Sequence, residues 1–334
     1  MNRVVGCVLL GLVTLAACGS GSSSAAAEGC WVQVSSPDLR FPNGVAVSPD
    51  ASEKWVVDQS GLIFHERGGQ WFEPGVCPGE TETWWQVEIP FGVAIRDDGI
   101  AAVSSAVDGT IWLISPEEGV VVTLPLDPAG ERTRTPTPHD VEWNNETLLV
   151  ADVANSHVLS VSPDGSVRVE AGRDSVFDVG PQPRTGLVPT TSDIAFPSGI
   201  DVLGDEVVIA EMDAGRLALL ADGTLRTLNL TEFEAIGDCL RDRLDEDVPI
   251  EKPSAVETTN DGKALVVADS RIGSILWIGV EESSIREVAG PCVGGEIFGV
   301  QDLDVDSAGN VYVVGTEPGH LLRITPDGTR TTVG

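Results

Sequence analysis

Apolar and polar residues alternate along most of the chain in short runs, and the runs are separated by Gly, Pro, Asn and Asp. A period of two predicts strands and turns, while a helical period of 3.6 is scarce. One phrase, apolar-Pro-x-Gly-apolar-x-apolar, organises the runs. It reads Phe41-Pro-Asn-Gly-Val-Ala-Val47, Ile89-Pro-Phe-Gly-Val-Ala-Ile95 and Thr137-Pro-His-Asp-Val-Glu-Trp143. It returns as Phe196-Pro-Ser-Gly-Ile-Asp-Val202, Lys252-Pro-Ser-Ala-Val-Glu-Thr258 and, more loosely, Gly299-Val-Gln-Asp-Leu-Asp-Val305. The starts are 48, 48, 59, 56 and 47 residues apart, the period of a four-stranded propeller blade.

Each phrase precedes a second apolar run, such as Trp55-Val-Val-Asp58 or Leu265-Val-Val-Ala-Asp269. A third strand follows and turns at Asp-Gly, as in Ser162-Pro-Asp-Gly165 and Thr325-Pro-Asp-Gly328. Asp-Gly between alternating runs is a strong hairpin signal. The expected fold is all-β: a six-bladed β-propeller of four-stranded antiparallel blades near 41–76, 89–126, 137–172, 196–230, 252–291 and 298–334. Radial closure leaves only short, protected sheet edges. Cys30-Trp-Val-Gln-Val-Ser35 reads as a spare strand, for the seam or for one face. Residues 172–195 read as an open loop. Residues 231–247 carry Thr231-x-x-Glu234 ahead of Phe233, Ile236, Leu240 and Leu244, which predicts one short inserted helix.

The amino terminus has its own pattern. Arg3, an apolar stretch from Val4 to Ala17, and Leu15-Ala-Ala-Cys18 before Gly-Ser describe a secretory signal over residues 1–17. Leu-Ala-Ala-Cys resembles the bacterial lipobox. That resemblance implies lipidation at Cys18, an extracytoplasmic location and attachment to the bacterial cell membrane through the lipid anchor alone. Residues 18–36 then form a flexible tether and the spare strand. Without Cys7 and Cys18, four cysteines remain: Cys30, Cys77, Cys239 and Cys292. An oxidising compartment predicts two disulfides, and three pairings are open. Pairing between neighbouring loops favours Cys30–Cys77 and Cys239–Cys292.

Composition narrows the partners. The 334 residues hold 52 Asp and Glu against 20 Lys and Arg, a formal net charge of −32. Such a surface repels phosphate backbones, so nucleic acid is excluded. Hydrophobic residues make up 42% of the chain, enough for a core. A monomer that takes a small-molecule or protein ligand is expected.

Chemistry is sought at the mouth of a propeller's central channel. The residues after each repeat proline are Asn43, Phe91, His139, Ser198, Ser254 and Gln301, the expected ligand mouth. Three residues deeper stand Ala46, Ala94, Glu142, Asp201, Glu257 and Asp304. Four carboxylates near one axis raise one another's pKa or recruit a divalent cation, calcium or magnesium; no other cofactor is expected. The second strands end in Asp58, Asp152, Glu211 and Asp269, carboxylates suited to bonding turn amides. Asp304-x-Asp306-x-x-Gly309 reads as a turn. His139 is the best general-base or metal-ligand candidate, and Trp84, Trp85 and Phe91 are a candidate aromatic platform. No G-x-S-x-G, H-E-x-x-H or Walker loop occurs.

The repeats resemble those of NHL-type propellers and of the related gluconolactonase and strictosidine-synthase-like families, over about residues 38–334. In gluconolactonases a Glu, an Asn and an Asp at post-proline positions hold one divalent metal. The resemblance places Asn43, His139 and Gln301 there, with no acid among them. Pro138-His139-Asp140-Val141 with Ala151-Asp152-Val153 resembles one zinc-binding blade of the peptidyl-amidoglycolate lyases, without the partner histidines. Two functions are expected from these readings: a tethered binding module acting through the channel mouth, or a metal-dependent hydrolase or lyase using the acidic channel with His139.

Overall fold

A computed structural model describes residues 31–333 apart from 76–86, 118, 128–129, 131–133, 174–185, 231–232, 234, 237, 243–249, 296, 298 and 316–318. Six antiparallel sheets, each of four consecutive strands, stand around one axis. Their innermost strands are the repeat phrases: Pro42–Val47, Pro90–Ile95, Pro138–Asn144, Pro197–Leu203, Pro253–Thr258 and Val300–Val305. These strands touch in sequence order and the sixth meets the first, so the ring is closed. The alternation seen in the sequence becomes packing between blades. The wedge between blades 1 and 2, for example, is filled by Trp55, Val57, Ile63, Val93, Val103 and Ile114. A sheet with both faces covered in this way cannot lose a neighbour without exposing an apolar face.

The repeat glycine has a steric cause. A Cβ on Gly44 would lie 2.1 Å from the Phe91 carbonyl oxygen of blade 2, and one on Gly92 would lie 2.7 Å from Asp140 Cα of blade 3. Neighbouring innermost strands thus approach to backbone contact, which tolerates no side chain there. Blades 3 and 6 carry Asp140 and Asp302 at that position instead. Each carboxylate reaches across the gap and accepts a backbone N–H of the next blade: Ile200 N at 2.8 Å and Val45 N at 3.0 Å.

The strand Trp31–Val34 pairs antiparallel with Gln70–Pro74 and makes a fifth, outermost strand of blade 1. Its Trp31 packs on the cluster between blades 1 and 2, and its Val34 on the cluster at the seam between blades 6 and 1. That seam is held by Asp302 and Asp304, which accept Val45 N and Val47 N. A backbone bond from Ser307 N to Pro49 O (2.7 Å) and packing of Tyr312, Val314 and Leu321 on Val45, Val47 and Phe64 complete it.

The inserted helix is shorter than its periodicity suggests, spanning Asp238–Arg241. Ala235–Ile236 instead pairs in parallel with Ser284–Ala289, the outermost strand of blade 5. The Cys239–Cys292 disulfide ties the helix to the connection after blade 5, and Leu240 is buried below it. Cys18, Cys30, Cys77, Trp84, Trp85, Thr231, Glu234 and Leu244 lie outside the described residues, as does most of the loop expected over 172–195.

Candidate functional site

The post-proline residues are set by a β-bulge. In every blade the pairing of first and second strands shifts register there: Pro42 faces Asp58 but Gly44 faces Val57, leaving Asn43 as the extra residue. The same shift recurs at His139, Ser198, Ser254 and Gln301, and spans two residues at Phe91 and Gly92. A bulged residue is re-aimed, and here several turn towards a neighbouring blade. Asn43 Nδ2 donates to Pro90 O (3.0 Å), Ser198 Oγ donates to Pro253 O (2.8 Å), and His139 Nδ1 lies 2.9 Å from Ser198 O. Ser254 Oγ is 3.4 Å from Ala268 O within its own blade. Much of the expected ligand mouth is thus engaged in stitching blades together.

The carboxylates that end the second strands are also structural, each holding the entry and turn of its own blade. Asp58 accepts the N–H groups of Arg40, Phe41 and Ser60. Asp152 accepts Thr137, Ala154 and Asn155, and Asp269 accepts Glu251, Lys252, Arg271 and Ile272. Glu211 accepts Ala195 N and pairs with Arg216 at 2.8 Å, both side chains being buried. Asp306 likewise closes a turn by accepting Ala308 N and Asn310 N.

The deeper residues open the other way. Glu142, Asp201, Glu257 and Asp304 line a cavity of about 780 Å³ whose wall continues into the hairpins that follow the innermost strands, near Pro49, Gly99, Gly204 and Gly262. The carboxylates and the post-proline ring therefore sit at opposite ends of the channel and do not share one opening. The innermost-strand acids come from blades 3 to 6; blades 1 and 2 bring apolar Val45, Ala46, Val93, Ala94 and Ile95 at that level and, nearer the rim, the charged Glu53, Arg67, Arg96, Asp97, Asp98 and Glu117. The two rim arginines are already paired: Arg67 with Glu53 and Glu117, and Arg96 with Asp98 while it stacks over Trp143 at 4.9 Å.

Burial, reinforced by one another's charge, pushes these acids up. Asp304 is raised to about 7, chiefly by burial and despite accepting Val47 N and Val305 N. Glu142 and Glu257 are raised well above the ordinary carboxylate range, first by burial and then by the charge of Asp201 and Asp304. Asp201 is raised by burial but restrained by bonds from Thr258 and Val202 N. Between the two ends lie Asp140, raised by burial to about 7, and Asp302, raised well above the ordinary range by burial and the charge of Asp140. Asp140 belongs to the Pro138-His139-Asp140-Val141 phrase and Asp302 to the sixth repeat phrase. Their signal was present, an acid standing where the repeat has glycine.

Among the described residues, no group of three or more His, Cys, Asp or Glu side chains is arranged to hold a metal ion. The reason is visible at Asp201 and Asp304, whose oxygens are turned into the gaps between blades, towards Thr258 and Val47. Of the histidines, His65 is stacked on Trp55 at 4.4 Å inside blade 1, and His157 is buried opposite Asp152. His139 lies between Phe91 (4.6 Å) and Phe196 (5.9 Å, edge on), and burial lowers its pKa to about 4.

No family profile matches this chain. No curated protein matches it significantly. Solved structures do. A streptogramin B lyase shares 14% identity at a TM-score of 0.57, over 91% of this chain and 86% of that one. A catalytically inactive virginiamycin B lyase from Staphylococcus aureus with quinupristin shares 13% at 0.57, over 91% and 87%. A structural-genomics protein of unknown function from Bacteroides thetaiotaomicron shares 11% at 0.60, over 88% and 71%. Likeness at such identity concerns the fold alone, and the chain is a six-bladed β-propeller of the kind that includes both lyases and ligand-binding proteins.

Proposed function

We propose that this propeller is a ligand-binding module held outside the cytoplasm by a lipid on Cys18, and that its ligand is an organic cation bound in the acidic cavity. The observation that carries the reading is the convergence of Glu142, Asp201, Glu257 and Asp304 on one cavity of about 780 Å³. Taking four acids out of water costs free energy that a matching positive charge offsets. A ligand with two or more separated amino or guanidino groups suits donors spread around a wall better than a single ion does. The apolar side formed by Ala46, Ala94 and Val93 suits its methylene chain.

Titration calorimetry of the whole chain with spermidine, magnesium and calcium tests this. Spermidine is expected to bind at least tenfold more tightly than either metal, and Glu142→Gln with Glu257→Gln to weaken it at least tenfold. Tighter binding of one divalent ion, together with lactone hydrolysis lost in His139→Ala, would replace this reading with the metal-dependent hydrolase. Absence of binding by all three sinks both.

The anchor rests on Leu15-Ala-Ala-Cys18 and is tested separately. Cells given a clickable fatty acid are expected to label the wild-type chain in the membrane fraction. Cys18→Ser is expected to lose essentially all label and to leave that fraction after a salt wash; continued labelling would refute the anchor.

A further inference from the structure

The other end of the channel, where the innermost strands begin, has a different chemistry and stands independently of the cation reading. Three rings from consecutive blades form a row there: Phe91 of blade 2, His139 of blade 3 and Phe196 at the entry to blade 4. All three are half-buried, so each keeps a part of its surface towards solvent. Phe41, 52% exposed, stands at the equivalent entry to blade 1.

His139 is fixed in orientation and tautomer. The Ser198 carbonyl 2.9 Å from Nδ1 can only accept, so Nδ1 carries the proton. Burial keeps the ring neutral at physiological pH, which leaves Nε2 an acceptor. No protein hydrogen bond to Nε2 occurs among the described residues, and the atom is not one of those sealed from solvent. An acceptor held so weakly basic is poorly matched to general-base chemistry at neutral pH, but well placed to receive a hydrogen bond. The chain meets this row at Phe196 with a φ of 50°, a strained conformation for a bulky residue. Its ring edge is thereby presented to the imidazole at an interplanar angle of 68°.

We infer that the strand-start mouth is a second binding site, for an uncharged planar aromatic ligand that donates a hydrogen bond to His139 Nε2, of the phenol or indole class. The flat face of such a ligand covers the exposed parts of Phe91 and Phe196, and its O–H or N–H meets Nε2. An aliphatic ligand lacks the stacking face, and an anionic one puts an acceptor against an acceptor.

The test compares phenol with anisole, and indole with N-methylindole, pairs of similar shape that differ in the donor. The whole chain with Cys18→Ser keeps the sample free of lipid. Saturation-transfer NMR is expected to show phenol and indole bound roughly five to ten times more tightly than their methylated partners, the size of one hydrogen bond. His139→Phe keeps a ring in the row and is expected to abolish the preference. In protein labelled with ¹⁵N-histidine, phenol is expected to shift the Nε2 resonance of His139 and leave that of the buried His65 in place, a readout that does not depend on a variant folding. Equal binding of phenol and anisole, binding of neither at millimolar concentration, or an unmoved Nε2 resonance would each overturn the site.

Discussion

Raising the pH from 4.5 to 8 is expected to lower the melting temperature by roughly 10 °C, and millimolar spermidine to restore most of the loss at pH 8. Asp140 and Asp304 are raised to about 7 in the folded chain, with burial the main cause, and burial also raises Glu142, Glu257 and Asp302 well above the ordinary carboxylate range. In the unfolded chain the same groups titrate near 4. A raised carboxyl favours the protonated fold. Its contribution is complete below pH 4 and disappears as the pH climbs through the folded value. The sum over the channel is on the order of several kcal/mol, which for a chain of this size is a shift of about 10 °C. Asp50, lowered to about 2 by the Ser52 and Ser48 hydroxyls and the Ser52 amide, and Asp58, lowered by Ser60, Arg40 and Phe41 against its burial, work in the other sense. They place the maximum near pH 4 to 5. A melting curve flat between pH 5 and 8 in low salt would mean that neither burial nor mutual charge raises these acids in the fold.

Glu211→Ala is expected to be the most damaging single substitution outside the channel, costing about 3–5 kcal/mol. It removes the Glu211 counter-charge from the Arg216 guanidinium, whose side chain is 4% exposed, and also frees Ala195 N in the connection to blade 4. The double variant Glu211→Leu with Arg216→Met removes both charges. It is expected to recover more than half of the loss, because an apolar pair of similar volume avoids the desolvation cost. Urea unfolding with an unchanged m-value is the measurement. Equal losses in single and double variants would show that the bond to Ala195 N, not the lost counter-charge, dominates.

The fold was legible because propeller blades are local. Each Pro-x-Gly phrase marks an innermost strand, and the glycine records the contact between Gly44 and the Phe91 carbonyl that admits no Cβ. The site was legible only in part. Glu142, Asp201, Glu257 and Asp304 do share a cavity, as their common repeat position suggests. Their separation from Asn43, His139 and Ser198 was not readable, because a bulge breaks the period of two at that point and a sequence does not display bulges. The expected short helix forms at Asp238–Arg241, and its limited extent has a related reason. Phe233, Ile236 and Leu240 have helical spacing, yet Ala235–Ile236 finds a strand partner in blade 5, and tertiary pairing outweighs propensity over so short a segment. The inter-blade role of Asp140 and Asp302 was not legible, because it depends on the neighbouring blade, which the local phrase does not describe.

The strand Trp31–Val34 has a mechanical consequence. It hangs on the outside of blade 1 through pairing with Gln70–Pro74, and the polar bonds of the seam, made by Asp302, Asp304 and Ser307, do not involve it, although Val34 packs against the seam's apolar cluster. A pull transmitted along the amino-terminal segment therefore meets four sacrificial residues on the rim before it meets any strand of the ring. They can peel away and re-zip while the channel keeps its shape, which makes the rim of blade 1 a mechanical buffer between the amino-terminal segment and the ring.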